Sequence, residues 1–310
     1  MAGERGWTPE DMKSLEGKTI LITGSTSGTG FQATRTLLSK GAEVVMLNRN
    51  DSKSKATMAA LRSEFGQEVR ARYITTDLAR LESVKEAAQQ ILDSVKSIDA
   101  LICNAAVAQI PKRTLTEDGF ETHMGTNHFG HFLLCGLLYP RLKDSKGRIV
   151  VVSSLGYKLG MKTINFPDLN WEKKYKSNTA YSQSKLAQMM FAFELQERLK
   201  HNGDDVGVYV CHPGSARTSL IKTSGGLTLR IIWKIMTLFP IVQSAEKGSY
   251  SQVMCATEDG LEERALYGPT GRMDWVGPVG KGSLEPHAHE KETMSRLWAV
   301  SENATGFTWF

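Results

Sequence analysis

The sequence has no apolar run long enough to cross a membrane. A spanning helix needs roughly 18 to 20 apolar residues, and the nearest stretch, residues 231–242, is broken by Lys234 and Pro240. Residues 1–17 carry acidic side chains and have no apolar core, which excludes a secretory signal. We expect them to form a polar leader, with Trp7 packed on the body of the protein, and we expect a cytoplasmic location.

Cysteine is also scarce. The 310 residues include four cysteines, none of them close to another in the sequence: Cys103, Cys135, Cys211 and Cys255. Three of them lie in apolar runs, so we expect buried, reduced thiols instead of a disulfide framework or a zinc site.

Charge of one sign is not concentrated anywhere. The net charge is +5, and lysine and arginine are scattered without a basic tract, so nucleic acid is not implied as a partner. Two histidine pairs, His128 with His131 and His287 with His289, have no carboxylate–cysteine set that converges with them in the sequence. We therefore expect structural histidines and no metal site.

What is present is a glycine-rich stretch, Thr-Gly-Ser-Thr-Ser-Gly-Thr-Gly, at residues 23–30. It follows the apolar run 19–22 and precedes a segment with helical spacing, 31–40, and a second apolar run, 44–47. Glycines allow a tight turn and a close approach of the backbone to a phosphate, which the N–H groups at the start of a helix can hold. The stretch predicts a dinucleotide-binding turn, although its Gly-x3-Gly-x-Gly spacing is not the commoner one. A purely structural turn would look the same.

Strand-like apolar runs alternate with helical periodicity along the chain. This order predicts an α/β fold with a doubly wound parallel sheet of about seven strands and helices on both faces. No linker or repeat divides residues 1–310, so we expect a single domain. Its expected elements include a long helix over residues 117–142, a polar insertion at 155–178, a last short strand at 265–267 and a closing helix at 287–301.

Tyr181 and Lys185 lie four residues apart in a predicted helix over residues 180–199, and therefore on one face of it. A free tyrosine has a pKa of about 10. An adjacent ammonium favours the phenolate and lowers that pKa, so Tyr181 can exchange a proton with a carbonyl or alcohol oxygen. An ordinary pair of surface residues would show the same spacing.

Two further groups of polar residues support this chemistry. Ser153 and Ser154 end the fifth predicted strand, where ligands bind in such sheets, and a serine there can hydrogen-bond the same oxygen. Asn127 lies among apolar and aromatic neighbours in the long helix. A buried amide needs hydrogen-bond partners, and a water chain to Lys185 would supply them.

In combination these residues resemble the short-chain dehydrogenase/reductase superfamily over nearly the whole chain. Its motifs occur in order: TGSTSGTG at 23–30, Asp77, NAA at 104–106, Asn127, the serine pair at 153–154, YSQSK at 181–185 and PGSART at 213–218. The resemblance implies a single Rossmann-fold domain, an oxidoreductase activity and a catalytic tetrad of Asn127, Ser154, Tyr181 and Lys185. Ser154 is preferred to Ser153 because the family's serine is usually the second of the pair.

The resemblance also implies a nucleotide site. Asp77 would contact the adenine ring, Asn104 would steady the central sheet near the ribose, and Thr218 would touch the nicotinamide amide. The implied cofactor-binding residues are Gly24, Ser25, Thr26, Ser27, Gly28, Thr29, Gly30, Asn48, Arg49, Asp77, Leu78, Asn104, Ala105, Ala106, Tyr181, Lys185, Pro213, Gly214 and Thr218.

Finer features are similar to the retinol dehydrogenase branch. They are LNRN at 47–50, TNHFGHF at 126–132, FPDLNWEKKY at 166–175 and YSQSKLA at 181–187. In the glycine motif Thr29 replaces the family's usual leucine, which is a departure at a side chain and not at a glycine. NAAVAQIP at 104–111 and TNHFGHF are also similar to light-dependent protochlorophyllide reductases, so reduction of a carbon–carbon double bond stays open.

The end of the second strand predicts the cofactor. A carboxylate there would accept the ribose hydroxyls of NAD, whereas this chain has Asn48 followed by Arg49. An arginine pairs with a 2′-phosphate in a forked geometry, so we expect NADP(H). The alternative is an exposed arginine in a loop.

Residues 215–243 are predicted to cover the substrate. Within them, residues 226–240 are apolar with two cations, which suits a lid over a lipophilic carbonyl or alcohol. A core-packing helix and peripheral contact with a membrane surface are the alternatives. The resemblance implies retinoids as substrates, and a nucleotide-binding regulatory protein without turnover is the alternative from another class.

The oligomeric state has two alternatives. The long helix and the Tyr181 helix carry apolar outer positions, which members of the superfamily commonly pair into a four-helix homodimer interface. The C-terminal extension, residues 272–310, would instead keep the chain monomeric if it capped that surface.

Overall fold

The computed structural model describes residues 5–216 and 242–310. They form an eight-stranded sheet in the order β3-β2-β1-β4-β5-β6-β7-β8. The strands are β1 (Thr19–Thr23), β2 (Glu43–Asn48), β3 (Ala71–Thr75), β4 (Ala100–Cys103), β5 (Arg148–Val152), β6 (Gly207–Cys211), β7 (Leu266–Pro269) and β8 (Val279–Lys281). All pairs from β3 to β7 are parallel, which confirms the predicted Rossmann-type α/β fold.

Helices cover both faces of this sheet. In the described residues they are α1 (Gly28–Ser39), α2 (Asp51–Phe65), α3 (Leu81–Ser94), α4 (Gly130–Asp144), α5 (Ser177–Asn202), α6 (Ala245–Thr257) and α7 (Lys291–Thr305). Strand β5 shows why two covered faces follow from the sequence. Ile149 and Val151 belong to the core on one face, and Val150 and Val152 to the core on the other. None of the described helices is long and apolar enough to span a membrane.

The N-terminal leader packs on the core. As predicted, Trp7 is buried; its backbone N–H donates to Val279 O at 3.0 Å, and its indole Nε1 donates to Glu258 at 2.9 Å. Met12 and Leu15 are buried as well and join the core beside α1. The leader therefore contributes apolar packing and is not only polar.

Strand β8 was not predicted. Val279–Lys281 pairs antiparallel with β7 inside a stretch rich in glycine and proline. Three residues are too short for alternation to show in the sequence, and the pairing depends on contacts with distant residues. One of those contacts is the bridge between Trp7 and Val279.

The prediction of one helix over residues 117–142 was wrong at its start. Gly119 has a φ of +84°, and Leu115 pairs with Glu121 across the resulting turn. The helical path begins only after Glu121, as a π-helical segment, Met124–Phe129, that leads into α4. Asp-Gly is a strong turn signal, and it outweighs the helical spacing around it.

The prediction of a closing helix over residues 287–301 was also inexact. A short 3₁₀ segment, Pro286–His289, comes first, and α7 follows it. Glu290 separates the two because its carboxylate accepts the N–H groups of Glu292 at 3.1 Å and Thr293 at 2.8 Å, which caps α7. Helix α7 ends at Gly306, which has a φ of +64°.

All four cysteines are buried free thiols, as predicted, but they are not isolated in space. The Sγ atoms of Cys103 and Cys135 are 3.5 Å apart, and Cys255 hydrogen-bonds Cys211. Burial raises the pKa of the Cys135 and Cys255 thiols well above their ordinary value. These thiols are therefore poor nucleophiles.

Candidate active site

A cleft of about 960 Å³ opens at the carboxyl ends of the central strands. Strand order reverses between β1 and β4, which is where ligands bind in open α/β sheets. The predicted site residues that line this cleft are Gly24, Thr26, Ser27, Gly28, Thr29, Gly30, Asn48, Arg49, Asp77, Leu78, Asn104, Ala105, Ala106, Ser154, Tyr181, Lys185, Pro213 and Gly214. Ser25 and Asn127 are fully buried behind its wall, and Thr218 lies outside the described residues.

The glycine turn needs its glycines because the backbone is crowded there. Gly24 has a φ of +70°, and a Cβ on it would lie 2.8 Å from the Cβ of Ala105. A Cβ on Gly30 would overlap the carbonyl oxygen of Gly24 and the amide of Asn104. The turn therefore presents backbone atoms to the cleft, as a phosphate site requires.

Asn104 joins the end of β4 to this turn. Its Nδ2 donates to the carbonyl oxygens of Thr23 at 2.9 Å and Gly24 at 3.0 Å, and its Oδ1 accepts from Thr29 Oγ1 at 3.1 Å. The side chain of Asn104 therefore holds the glycine turn against the end of β4.

The end of β2 also supports the turn. Asn48 Oδ1 accepts hydrogen bonds from the backbone N–H of Ser25 at 2.8 Å and from its hydroxyl at 3.2 Å. Asn48 Nδ2 is buried and has no partner among the described residues, so a donor is left beside the cleft. Arg49 and Lys53 are exposed at its rim, and neither side chain forms an ion pair within residues 5–216 and 242–310.

Asp77 and Leu78 follow β3 at the same edge of the cleft. Asp77 Oδ1 accepts the N–H of Ala79 at 3.0 Å, and the N–H of Asp77 donates to Ser83 Oγ at 3.0 Å. The peptide of Leu78 packs so closely on Gly130 that a Cβ on Gly130 would overlap the carbonyl oxygen of Leu78. These contacts fix the loop on which the predicted adenine contacts lie.

The two serines after β5 point in different directions. Ser153 is buried, and its hydroxyl donates to the carbonyl oxygen of Lys185 at 3.0 Å. Ser154 lines the cleft, and its Oγ accepts the N–H of Gly156 at 3.1 Å. Ser154 also hydrogen-bonds the Tyr181 side chain, so the structure brings the second serine and not the first to the tyrosine.

Lys185 lies beneath Tyr181. Its Nζ donates to the carbonyl oxygen of Val152 at 2.9 Å and to Gln188 Oε1 at 2.8 Å, and it is 6.0 Å from the centre of the Tyr181 ring. Two of its three N–H groups are therefore used by the protein. Burial lowers the pKa of Lys185 to about 7.

The expected lowering of the tyrosine pKa by lysine is not seen in this state. Burial raises the pKa of the Tyr181 phenol above its ordinary value, and the hydrogen bond with Ser154 opposes that rise. Lys185 has little effect because burial also disfavours its own charged form. Ser154, which hydrogen-bonds Tyr181, is therefore a closer partner of the phenol than Lys185 is.

Asn127 lies in the π-helical segment, and its partners differ from the expected water chain to Lys185. Its Oδ1 accepts the N–H of Val107 at 2.8 Å, while its Nδ2 donates to Val107 O at 3.0 Å and to Ser184 Oγ at 2.9 Å. The protein thus satisfies the amide itself. Asn127 joins the loop after β4 to α5, the helix that carries Tyr181 and Lys185. π-Helical turns are frequent at functional sites.

His131 extends this connection to the glycine turn. Its Nδ1 bonds the carbonyl oxygen of Asn127 at 2.8 Å, and its Nε2 bonds Thr23 Oγ1 at 2.9 Å. A carbonyl only accepts, so Nδ1 carries the hydrogen and Nε2 accepts from Thr23. Thr23 Oγ1 in turn accepts the N–H of Ala105 at 2.9 Å. Burial lowers the pKa of His131 to about 4, which is consistent with a neutral ring.

His128 faces the C-terminal helix instead. Its Nε2 bonds Ser301 Oγ at 2.7 Å, and burial lowers its pKa to about 3. Both histidines of this pair therefore have structural partners. Among residues 5–216 and 242–310 no three histidine, cysteine, aspartate or glutamate side chains group as metal ligands.

The cleft is also lined by apolar side chains, among them Ile110, Leu155, Leu159 and Trp275. Leu159 is 89% exposed. The predicted lid, 215–243, is described only at its ends, where the N–H of Gln243 donates to Ser215 O at 2.8 Å. Residues 226–240, the predicted lid or membrane contact, lie outside the described residues.

Several residues of the cleft were missed by sequence reasoning. Lys53 lies in the first turn of α2. Its position four residues after Arg49 could have indicated a second cation at the cleft. Gly156 lies beside Ser154 and Tyr181. A Cβ on Gly156 would be 3.3 Å from both Ser154 Oγ and Tyr181 Cε1. Trp275 comes from a tail far away in sequence, and no local pattern predicts it.

Comparisons with known proteins identify the family of the chain. A family model described as short chain dehydrogenase matches residues 18–225. Human retinol dehydrogenase 12 is 37% identical over 298 residues, which cover 95% of this chain and 88% of that protein. Human retinol dehydrogenase 14 is 38% identical over 312 residues, which cover 94% of this chain and 87% of that protein.

A solved structure shares the fold over nearly its full length. The crystal structure of an uncharacterised protein from Mycobacterium paratuberculosis superposes with a TM-score of 0.80 at 34% sequence identity, covering 98% of this chain and 99% of that chain. The similarity thus includes the C-terminal tail as well as the sheet.

Proposed function

The chain belongs to the short-chain dehydrogenase family, in its retinol dehydrogenase-like branch, and from that premise we propose that it is an NADP(H)-dependent oxidoreductase. It interconverts a lipophilic aldehyde or ketone and the corresponding alcohol. The observation that carries the proposal is the pairing of Ser154 with Tyr181 at the cleft, with Lys185 behind the tyrosine.

The residues around the cleft fit a dinucleotide. The crowded backbone at Gly24 and Gly30 leaves N–H groups and a helix start for the pyrophosphate. The unpartnered Nδ2 of Asn48 suits an oxygen acceptor such as a ribose hydroxyl. Arg49 and Lys53, exposed and without ion pairs in the described part of the chain, suit a 2′-phosphate, which favours NADP(H) over NAD(H).

When bound, NADP(H) would supply a hydride to a carbonyl or accept one from an alcohol, and the residues of the chain handle the oxygen and the proton. Tyr181 donates its phenolic proton to the substrate oxygen when a carbonyl is reduced, and takes a proton from it when an alcohol is oxidised. Ser154 donates a hydrogen bond to the same oxygen. Lys185, when protonated, stabilises the phenolate, and Asn127 holds α5 against the loop after β4.

We expect the apolar side chains of the cleft, among them Leu159 and Trp275, to form its substrate end. These side chains and the names of the relatives support a lipophilic substrate. Retinal and retinol therefore head the panel of substrates, followed by medium-chain aldehydes, terpenoid ketones and steroid ketones. The assay is NADPH consumption with each carbonyl, with product identification by mass spectrometry and NMR. A product reduced only at a carbon–carbon double bond would replace the proposed reaction with the alternative one.

Tyr181→Phe tests the catalytic role. Removing the proton donor should lower kcat by about 10²- to 10⁴-fold while NADPH binding, measured by fluorescence titration, stays within error of the wild type. Turnover at the wild-type rate in this variant would contradict the mechanism, whereas NADPH binding without turnover in the wild type would favour the non-catalytic nucleotide-binding alternative.

The cofactor proposal has its own test. The ratio of kcat/KM with NADPH to kcat/KM with NADH is measured for the wild type and for Arg49→Ala. We expect a clear NADPH preference that shrinks in the variant, chiefly through the KM for NADPH. Equal efficiency with both cofactors in the wild type would reject NADP(H) as the preferred cofactor.

We also infer a monomer, because the C-terminal segment covers the helices that a four-helix dimer would use. The rings of Trp298 and Trp309 lie 5.2 Å and 5.7 Å from that of Phe132 in α4, and both also contact Phe191 in α5. The Phe307 ring packs on Gly136 of α4. Light scattering should give a mass near 34.3 kDa; twice that mass would contradict the inference.

A further inference from the structure

A buried carboxylate–imidazole pair lies beside Tyr181 and has no role in the mechanism above. Glu121 and His123 are both 0% exposed. His123 Nδ1 bonds Glu121 Oε1 at 2.7 Å, so Nδ1 carries a hydrogen and the carboxylate accepts it. Burying two such groups is costly unless both are held in place, and the surrounding contacts show how they are held.

Glu121 is fixed at the start of the helical path. Its carboxylate accepts the backbone N–H of His123 at 3.1 Å and that of Met124 at 3.0 Å, which are N–H groups that a helix start leaves free. Its own N–H donates to Asn170 Oδ1 at 2.8 Å. The carboxylate therefore cannot turn away from His123 without losing the helix cap.

The imidazole held by Glu121 meets the Tyr181 ring. The two ring centroids are 6.0 Å apart, and the ring planes make an angle of 68°, an edge-to-face contact. His123 Nε2 is buried and has no hydrogen-bond partner among the described residues. A buried polar atom left unpaired destabilises a protein. An apolar ring at this position would avoid that cost and still pack on Tyr181.

We propose that Glu121 and His123 form a positioning pair that fixes the ring of Tyr181 and supplies a polar neighbour on its buried side. This inference rests on the proposed role of Tyr181. The other ionisable or hydroxyl groups that face the tyrosine are Ser154, which hydrogen-bonds it, and Lys185, whose Nζ is 6.0 Å from the ring centre. His123 is the one of the three that meets the Tyr181 ring edge-to-face with a ring of its own, which is why we assign the positioning of the phenol to the pair.

Two substitutions separate the parts of the pair. His123→Phe keeps an aromatic ring against Tyr181 but loses the hydrogen bond to Glu121. His123→Asn keeps a donor near the position of Nδ1 but removes the ring. His128→Phe is the matched control, because it removes another buried histidine of the same helical path whose partner is Ser301.

Kinetics with the best substrate of the panel give the first measurement. We expect both His123 variants to lower kcat at least about tenfold, as small misplacements of reacting groups do, with the KM for NADPH unchanged. The pH profile of kcat should also move, whereas in His128→Phe it should keep the wild-type shape. Wild-type kcat and pH profile in a folded His123→Phe or His123→Asn variant would overturn the proposal.

Titration of the Tyr181 phenol gives a second measurement that does not need turnover. The protein is labelled with [ζ-¹³C]tyrosine, and the Tyr181 signal is assigned from its loss in Tyr181→Phe. Burial already raises the pKa of this phenol, and an apolar ring in His123→Phe should raise it further. A titration identical to that of the wild type, with only a lower Tm, would reduce Glu121 and His123 to a helix cap.

The kinetics and the Tyr181 titration together distinguish failure of the proposed function from failure of the positioning pair. If no carbonyl in the panel is reduced by the wild type, the proposed function fails, yet the titration still decides whether His123 acts on Tyr181. If the wild type reduces carbonyls and Tyr181→Phe is inactive, but both His123 variants behave as the wild type does, only the positioning pair fails.

Discussion

The two ends of the cleft are built on different principles. At the cofactor end the backbone itself forms the surface, and Gly24, Gly30 and Asn104 are packed so closely that an added methyl group would overlap a neighbour. At the substrate end side chains form the surface, and one of them, Leu159, is 89% exposed. The cofactor end therefore accepts few changes, while the substrate end can change its lining without disturbing the nucleotide.

The largest expected effect comes from adding one methyl group at each end. In Gly30→Ala the new Cβ overlaps the Gly24 carbonyl and Asn104, and such overpacking costs typically about 1–3 kcal/mol or more. NADPH binding should be lost or the fold weakened, as measured by fluorescence titration and Tm. Gly156→Ala, with its Cβ 3.3 Å from Ser154 Oγ, should keep NADPH binding and lose only part of the turnover. Equal effects of the two substitutions on NADPH binding would contradict the proposed difference between the two ends of the cleft.

A second prediction uses the two serines after β5. Ser154→Ala should lower kcat by about 10²-fold, the size expected for one donor to a developing oxyanion. Ser153→Ala removes the bond to the Lys185 carbonyl and should cost about 1 kcal/mol of stability with little loss of kcat. Steady-state kinetics and thermal unfolding of both variants check this, and a reversed order would assign the role to Ser153.

A third prediction concerns the rim of the cofactor end. Lys53→Ala should weaken NADPH binding by about tenfold or more, since a hydrogen bond to a charged group contributes about 1.5–3 kcal/mol, and should leave NADH binding unchanged. Lys55→Ala is the control, because Lys55 pairs with Asp51 at 2.8 Å and is not part of the cleft. Similar losses in both variants would point to general charge instead of a phosphate contact.

The smallest expected effect is the uptake of a fraction of a proton when the dinucleotide binds. Burial lowers the pKa of Lys185 to about 7, so most molecules of the free protein carry a neutral lysine at pH 8. An anionic dinucleotide favours the ammonium and raises this pKa, so binding at pH 8 should take up protons, while binding at pH 6 should take up few. Calorimetry in buffers of different ionisation enthalpy measures the uptake. Uptake that persists unchanged in Lys185→Met would come from another group.

The cofactor end is also the part that the sequence predicts best. The glycine turn, the residues after β2, β3 and β4, and the Tyr181–Lys185 spacing are local patterns, and each is placed at the cleft by the parallel sheet. Parallel strands end at one edge, so knowing the order of strands and helices is enough to bring these residues together.

The rest depends on contacts between distant parts of the chain. The partners of Asn127 come from Val107 and Ser184, and the direction of Lys185 is set by Val152 and Gln188. No spacing in the sequence encodes such pairs. The turn at Gly119 was readable from its Asp-Gly pair, but the prediction followed the helical spacing around it and was wrong there. Strand β8 was too short to show a pattern of its own.

The π-helical segment Met124–Phe129 has a consequence for the residues on either side of it. A π turn holds one residue more than an α turn of the same path, so everything before it is rotated relative to everything after it. Asn127 can then face Val107 and Ser184 while α4 keeps its own face on the core. A deletion of one residue here would rotate Glu121 and His123 away from their places, whereas many substitutions would leave the register intact. The length of this segment therefore sets the directions in which the residues before and after it face.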